Sequence, residues 1–222
     1  MSATGAPPGL RTDSIHILRQ VCTRGYNTLR MKLLLASQSP RRIELLRNAG
    51  IDFEVIPSGV DEGEPCVGEL PAEYARRVAR DKALEVAASS PASSLVLGAD
   101  TIVTADGLIL GKPHDASDAI RMLRLLSGRT HEVITAICLV RAPEHIAALQ
   151  HATTQVTFRD LAEDEIRAYV ESGEPFDKAG AYAIQGLASK FVASISGCYF
   201  NVVGLPVSLL YETLRTLPEG QA

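Results

Sequence analysis

The chain has 222 residues, of which 46% are hydrophobic and 22% are charged, a balance typical of a soluble globular protein with one core or two small lobes. No apolar stretch approaches the roughly 20 residues that a membrane span requires. The four cysteines are far apart and form no Cys-x-x-Cys pair. This argues against a zinc site or a disulfide framework and fits the reducing cytoplasm, where we expect the protein.

The charge is distributed unevenly along the chain. The full sequence contains 22 Lys and Arg and 26 Asp and Glu; residues 1–30 hold four of the basic and one of the acidic side chains, which leaves 18 and 25 for residues 31–222. The acidic body argues against broad nucleic-acid binding, which needs a basic face. An anionic ligand would therefore need a local cluster of cations and a metal ion.

Residues 1–30 show no strong hydrophobic period and are interrupted by Pro7-Pro8-Gly9. Their four arginines and single acid faintly resemble a transit peptide. The alternative is that translation starts at Met31, because the first recognisable strand follows it directly. We favour this alternative, and expect a poorly ordered extension over residues 1–30 and a single folded domain over residues 31–222.

From residue 31 onwards, strand and helix patterns alternate along the chain. Strands are predicted at residues 33–36, 53–56, 95–98, 101–103, 133–140 and 153–158, with at least one more between 180 and 195. Helices are predicted at residues 39–48, 71–88, 115–126, 160–172 and 206–217. The alternation indicates an α/β fold, and strands that follow one another without a helix indicate a mixed, twisted sheet covered by helices.

The first predicted helix begins with two adjacent arginines. Ser39 suits the N-cap and Pro40 the first helical position, which places Arg41 and Arg42 in the first turn. Cations there are disfavoured by roughly 0.3–1 kcal/mol each, because the unpaired N–H groups already make that end positive. A polyphosphate docked at the helix start would compensate. The alternative is that both arginines are simply solvated.

The second predicted helix carries a lysine on its apolar side. Ala75, Ala79 and Val86 form a stripe at helical spacing, and Lys82 falls inside it. Burying an ammonium group costs several kcal/mol unless a partner compensates. Lys82 therefore contacts a ligand, pairs with a structural carboxylate, or extends past the helix end to water.

Two acids are candidates for chemistry at strand ends. Asp100 follows an apolar strand, where ligands gather in α/β sheets, and its neighbours Gly98 and Ala99 leave room for a substrate. The alternative is a turn aspartate that bonds its own backbone. Glu62 follows the strand at 53–56 and is a weaker candidate, because loop acids are usually solvated.

Two later loops carry one polar candidate each. Lys112, in Gly111-Lys112-Pro113, is not part of a P-loop, whose spacing is absent, but this turn can direct a lysine into a cleft. Gln185 lies between apolar positions, and its amide could read a base edge with both a donor and an acceptor. The alternative for Gln185 is a close-packed turn.

Several common sites are not indicated by the sequence. His131, His145 and His151 lack the spacing of metal ligands and are interpreted as surface or structural residues. No Gly-x-Ser-x-Gly, His-Glu-x-x-His or Gly-x-Gly-x-x-Gly motif occurs, which removes the commonest hydrolase and dinucleotide-binding patterns.

Taken together, these motifs resemble the Maf family of nucleotide pyrophosphatases, in an order that runs from residue 31 almost to the end of the chain. The matching segments are Leu35-Ala36-Ser37-Gln38-Ser39-Pro40-Arg41-Arg42 with Glu44-Leu45-Leu46, Gly98-Ala99-Asp100-Thr101-Ile102-Val103, Gly111-Lys112-Pro113, Leu126-Ser127-Gly128-Arg129-Thr130-His131, Asp177-Lys178-Ala179-Gly180-Ala181-Tyr182-Ala183-Ile184-Gln185-Gly186 and Val202-Val203-Gly204-Leu205-Pro206.

The resemblance implies an ITPase-like fold with two lobes around a central cleft. It also implies metal-dependent hydrolysis of nucleoside triphosphates to the monophosphate and pyrophosphate, with Mg²⁺ or Mn²⁺. Asp100 would be the catalytic carboxylate and, with Glu62, would hold the metal. The residues implied to hold the triphosphate are Ser37, Arg41, Arg42, Lys82 and Lys112.

Three positions resemble the family branch that acts on dTTP and UTP, namely Thr101, Gln185 and Arg41; the branch acting on 7-methyl-GTP typically differs at the first two. Modified uridine nucleotides are further candidates. One departure is Ala183, where relatives often carry glycine, and a positive φ there would strain alanine.

Alternatives in other classes remain open. The same fold could act on 7-methyl-GTP or a damaged purine, although Thr101 and Gln185 argue against this. A non-catalytic nucleotide-binding regulator of cell division would not need Asp100 and Glu62 beside a polyanion. Nucleic-acid binding through residues 1–30 would be strongly salt-dependent. We expect a nucleoside triphosphate as partner, neither nucleic acid nor membrane, and leave a homodimer open.

Overall fold

The computed structural model describes residues 32–92 and 94–217. The extension over residues 1–30 and the proposed start at Met31 lie outside these residues. No helix in the described ranges is long and apolar enough to cross a membrane.

Seven strands of the described chain form one mixed sheet, in agreement with the predicted α/β class. The strands are β1 Lys32–Leu35, β2 Glu54–Val55, β3 Ser94–Ala105, β4 Leu108–Leu110, β5 Thr130–Arg141, β6 His145–Phe158 and β7 Val192–Ser196. Their order is β2-β1-β3-β5-β6-β7, with β4 paired to β3. Strand β1 is parallel to both neighbours, and the other pairs are antiparallel.

Six α-helices accompany the sheet within residues 32–92 and 94–217. They are α1 Pro40–Asn48, α2 Pro71–Ala88, α3 Ala116–Leu126, α4 Glu163–Glu171, α5 Tyr199–Val203 and α6 Val207–Thr216, with short 3₁₀ turns at Glu174–Asp177, Ala179–Ala181 and Leu187–Phe191. Helix α1 begins at the predicted proline with Ser39 as N-cap, and Gly50 follows its end with a φ of +67°.

Apolar side chains of the helices and of the long strands β3 and β5 form two separate clusters. The first joins helix α2 to the earlier part of β3, including Val96 and Ile102. The second joins helices α3 and α4 to the last part of β3, including Val103 and Ala105. Ile102 and Val103 are consecutive in β3, so the two clusters lie on opposite faces of the sheet. The two lobes implied by the resemblance stay a prediction.

The prediction of two strands at 95–98 and 101–103 was wrong, because β3 is a single strand of 12 residues. Its antiparallel partner β5 pairs with it continuously from Leu95 to Thr104. Small residues at Gly98 and Ala99 weaken the local strand signal, but pairing with the β-branched sequence of β5 overrides that weakness.

Other differences concern element ends. Strand β6 begins at His145 rather than at residue 153, because its first half pairs with the end of β5, with Ile146 opposite Val140. Helix α4 begins at Glu163 rather than at residue 160, and the short helix α5 was not predicted. Each of these depends on pairing or packing that a local window of sequence does not contain.

Helix α2 packs closely against strand β3 at Gly98. A Cβ atom there would lie 2.1 Å from the carbonyl oxygen of Ala79 and 2.8 Å from the Cβ of Ala83. Gly98→Ala should therefore lower the free energy of unfolding by about 1–3 kcal/mol through overpacking. Urea denaturation measures this, with Gly111→Ala as the control, since no atom lies within 4 Å of a Cβ built there. Equal stability of the two variants would contradict the prediction.

Candidate active site

A cavity of about 660 Å³ is lined by residues of both apolar clusters, including Ile102 of the first and Val133 of the second. The structure brings every residue that the sequence predicted for the site to the wall of this cavity. These residues are Ser37, Arg41, Arg42, Glu62, Lys82, Asp100, Thr101, Lys112 and Gln185.

The cavity lies where one edge of β3 lacks a strand partner in the described part of the chain. Strand β1 pairs with β3 up to Leu97, and β4 pairs with it only from Val103 onwards, while β5 occupies the opposite edge. Asp100 therefore lies in the middle of its own strand, and the prediction that it follows a strand end was wrong. It lies instead just beyond the carboxyl end of the parallel neighbour β1, where ligands bind in open α/β sheets.

Lys82 joins the two predicted acids. Its Nζ donates to Oε1 of Glu62 at 2.7 Å and to Oδ1 of Asp100 at 2.9 Å. The side chains of Lys82 and Asp100 are only 12% and 8% exposed. The apolar stripe of α2 is buried as predicted, and Lys82 is compensated there by two carboxylates.

Lys82 also favours the ionised form of Glu62. Burial alone would raise the pKa of Glu62, but the hydrogen bond and charge of Lys82, with contributions from Lys112 and Arg42, lower that pKa below its ordinary value. Glu62 is therefore ionised at neutral pH and available to a cation.

Arg42 is buried rather than solvated, with 8% of its surface exposed. Its Nε donates to the carbonyl oxygen of Gly204 at 2.9 Å, and its two terminal nitrogens donate to Ser37 Oγ and Thr101 Oγ1, each at 3.1 Å. These bonds tie the start of α1 to β3 and to the end of α5. They explain why this cation is stable in a first helical turn.

Arg41 differs from its neighbour, because its side chain is 32% exposed and lies 3.6 Å from the carboxylate of Asp177. Ser39 occupies the N-cap but makes no side-chain cap; its backbone N–H donates to Ser37 Oγ at 3.2 Å. Ser37 thus accepts two hydrogen bonds just before the N-terminus of α1.

Thr101 belongs to a hydroxyl pair that the sequence did not reveal. Its Oγ1 lies 3.0 Å from Oγ1 of Thr135, which donates to the carbonyl oxygen of Asn201 at 2.9 Å. Thr135 is opposite Thr101 in the β3–β5 register. Only that register could have identified it, because nothing local to Thr135 suggests a role.

A comparison of the sequence with models of known protein families gives a result that agrees with this geometry. A family model with the description "Maf-like protein" matches residues 32–217. The chain belongs to the Maf family. The matched range contains all the predicted residues at the cavity wall, so the resemblance seen in the sequence motifs is confirmed.

Curated Maf relatives match most of the chain. They include the dTTP/UTP pyrophosphatases of Koribacter versatilis, 52% identical over 86% of this chain and 96% of that protein, and of Syntrophomonas wolfei subsp. wolfei, 52% identical over 81% and 94%. The dTTP/UTP pyrophosphatase of Geobacter metallireducens is 50% identical over 84% and 96%. A solved HAM1 protein from Coxiella burnetii matches 68% of this chain and 86% of that chain at 20% identity and a TM-score of 0.38, too low to carry any argument.

The segment of this Maf protein that carries Gln185 is anchored at Gly180, whose N–H donates to the carbonyl oxygen of Gly111 at 3.0 Å, next to Lys112. Gln185 is exposed at the cavity wall. The strain considered for Ala183 does not arise, because its φ is not positive; among the described non-glycine residues, Asp106 and Ala181 have that conformation.

His131 is structural, as the sequence predicted. It is buried, its Nε2 lies 2.8 Å from the hydroxyl of Tyr182, and its ring packs against Phe158. Burial lowers the pKa of His131 to about 4, so the ring is neutral at physiological pH. Tyr74, Asp177, Lys178 and Tyr182 are among the residues of the cavity wall that sequence reasoning did not assign to the site.

Glu62 and Asp100 are the side chains of this cavity that would hold a divalent cation. No group of three or more His, Cys, Asp and Glu side chains within the described ranges could hold a metal ion by itself. Glu62 and Asp100 nevertheless both contact Lys82 Nζ, each through one carboxylate oxygen, and the second oxygen of each carboxylate could bind a cation beside the ammonium group. Two carboxylates completed by water and substrate phosphates are a common way to bind Mg²⁺.

Proposed function

We propose that this Maf protein hydrolyses dTTP and UTP to the nucleoside monophosphate and pyrophosphate. The observation that carries the proposal is the convergence of Glu62 and Asp100, bridged by Lys82, with Arg41 and Lys112 around one cavity. The names of the relatives from Koribacter versatilis and Syntrophomonas wolfei, both dTTP/UTP pyrophosphatases, support these substrates.

The cations at the cavity suit a triphosphate. Arg41 and Lys112 line the cavity with at least part of their side chains exposed, and the N-terminus of α1 adds oriented N–H groups. A phosphate would replace Asp177 as the partner of Arg41. A local positive cluster of this kind attracts a polyanion even though residues 31–222 are acidic overall.

The acids supply the hydrolytic chemistry in this proposal. Asp100 orients the attacking water and accepts its proton as the α-phosphorus is attacked. Glu62 and Asp100 together would hold Mg²⁺ or Mn²⁺, and the bound cation would stabilise charge on the phosphate oxygens. Lys82 keeps the two carboxylates in place beside the phosphate chain.

The amide of Gln185 is assigned to base selection. Gln185→Ala should reduce the preference of kcat/KM for dTTP over dCTP about tenfold while changing the maximal dTTP rate less, because the lost hydrogen bonds distinguish bases. Gln155→Ala removes the same amide from an exposed position on β6, outside the cavity, and should leave the preference unchanged. An unaltered substrate ranking in Gln185→Ala would refute the assignment.

A nucleotide panel tests the function directly. The protein is incubated with dTTP, UTP, modified uridine nucleotides, 7-methyl-GTP and purine triphosphates, each with Mg²⁺ and with Mn²⁺, and pyrophosphate release is measured. We expect the fastest release from dTTP and UTP. Preferred hydrolysis of 7-methyl-GTP would place the protein in the family branch that acts on that nucleotide. Binding of dTTP without any product would indicate a nucleotide-binding regulator.

A further inference from the structure

The segment around Glu62 has no regular secondary structure that would fix the position of its side chain. Residues 56–70 contain no helix or strand, and the Glu62 side chain is 44% exposed. Its carboxylate nevertheless lies 2.7 Å from Lys82 Nζ. A site group on an irregular loop is held accurately only if neighbouring residues fix the loop.

Tyr74 contacts the backbone of this loop directly beside Glu62. It is buried on α2, its ring lines the cavity, and its hydroxyl donates to the carbonyl oxygen of Gly63 at 3.0 Å. Gly63 directly follows Glu62 and has a φ of +58°, and its N–H donates to Asp61 Oδ1 at 3.1 Å. The hydroxyl of Tyr74 therefore holds the backbone of a tight turn at the residue that follows Glu62.

The Tyr74 hydroxyl keeps its proton under physiological conditions. Burial, with the nearby charges of Asp100 and Glu62, raises the pKa of Tyr74 to about 12. The hydroxyl therefore remains a donor to the Gly63 carbonyl at physiological pH.

Arg77, one helical turn further along α2, holds the rest of the loop. Its Nε and Nη2 donate to the two carboxylate oxygens of Glu69 at 2.8 and 3.0 Å, and its guanidinium lies 5.1 Å from the ring centre of Tyr74. The Nη2 of Arg77 also donates to the carbonyl oxygen of Glu64 at 3.4 Å. The helix that carries Lys82 thus holds the loop at Gly63 through Tyr74, and at Glu64 and Glu69 through Arg77. Of these three contacts, only that of Tyr74 is made to a residue next to Glu62 in the chain.

We infer that Tyr74 is a positioning residue that holds Glu62 at the cation site through the backbone of Gly63. The inference rests on the proposed function, in which Glu62 helps to bind a divalent cation. Arg77 holds the same loop further along the chain, at Glu64 and Glu69.

Tyr74→Phe removes this hydrogen bond while keeping the ring. We expect the affinity for Mn²⁺ alone, measured by electron paramagnetic resonance, to fall about two- to ten-fold, the equivalent of one hydrogen bond. The Mg²⁺ concentration for half-maximal dTTP hydrolysis should rise by a similar factor, with kcat at saturating Mg²⁺ nearly unchanged. Tyr199→Phe, which removes a hydroxyl from an exposed residue outside the cavity, is the matched control and should change neither value.

A double-variant comparison shows whether Tyr74 acts through Glu62. In a Glu62→Gln background, Tyr74→Phe should weaken Mn²⁺ binding no further, because the carboxylate it positions is already absent. The inference is overturned if Tyr74→Phe weakens Mn²⁺ binding equally in both backgrounds, or if it lowers thermal stability without changing Mn²⁺ affinity.

The Mn²⁺ measurements also separate this inference from the proposed function. If the protein binds Mn²⁺ and Tyr74→Phe weakens that binding, but no nucleotide is hydrolysed, the proposed activity fails and the role of Tyr74 stands. If dTTP and UTP are hydrolysed while Tyr74→Phe binds Mn²⁺ like the parent protein, the activity stands and the role of Tyr74 fails.

Discussion

Asp100→Asn should lower kcat for dTTP hydrolysis by about 10²–10⁴-fold, the usual contribution of a general base. Asparagine has nearly the same shape, and its side-chain oxygen can still accept the hydrogen bond that Asp100 accepts from Lys82 at 2.9 Å. The substitution keeps the cavity and all of its cationic side chains, so nucleotide binding should remain largely intact. The loss should therefore appear in turnover.

Two measurements separate these effects. Pyrophosphate release gives kcat, and isothermal titration calorimetry with dTTP gives Kd, both for Asp100→Asn and for Asp52→Asn. Asp52 is exposed and does not line the cavity, so its variant controls for a change of one surface charge. A near-normal rate in Asp100→Asn would remove Asp100 from the catalytic role, and a parallel loss of dTTP binding would assign it to binding instead.

The parts of this site that sequence could predict are those with a local physical signal. The inward direction of Lys82 follows from the period of its own helix, and the start of α1 follows from Ser39 and Pro40. The identity of the cavity residues came from motif resemblance. Each of these signals is contained in a short segment of the sequence, so it can be recognised without knowledge of the fold.

The parts that could not be predicted depend on contacts distant in sequence. The Nε of Arg42 bonds to the carbonyl oxygen of Gly204, 162 residues away. Thr135 reaches Thr101 only through the register of β3 and β5. Asp100 seemed to follow a strand because Gly98 and Ala99 interrupt the local pattern, although the strand continues. The cavity lies at the part of the β3 edge between Leu97 and Val103, where neither β1 nor β4 pairs with β3.

Lys82→Met should reduce both the activity and the stability of the protein, because Lys82 is the shared counter-charge of two acids. Removing one member of a buried ion pair leaves an uncompensated charge and costs about 3–5 kcal/mol of the free energy of unfolding. The side chains of Lys82 and Asp100 are buried enough for this estimate to apply, whereas Glu62 is half-exposed and adds less. Urea denaturation and dTTP hydrolysis measure the two losses.

Lys112→Met is the matched control, since Lys112 lines the same cavity but is exposed and makes no ion pair among residues 32–92 and 94–217. It should slow hydrolysis through weaker phosphate binding and change the free energy of unfolding by no more than about 0.5 kcal/mol. Equal destabilisation of the two variants would contradict a structural role for the bridge between Glu62 and Asp100.

The pH dependence of this stability difference follows from the lowered pKa of Glu62. A carboxylate whose pKa is lower in the folded than in the unfolded protein stabilises the fold above the unfolded pKa and loses this contribution as pH falls through the folded pKa. Lys82 is the main group that lowers the pKa of Glu62 from its ordinary value of 4.5. The stability difference between the parent protein and Lys82→Met should therefore be largest near neutral pH and should shrink as pH falls below about 4.5. A difference that stays constant from pH 7 to pH 3 would mean that Lys82 stabilises the fold by packing its hydrocarbon chain and not by its charge.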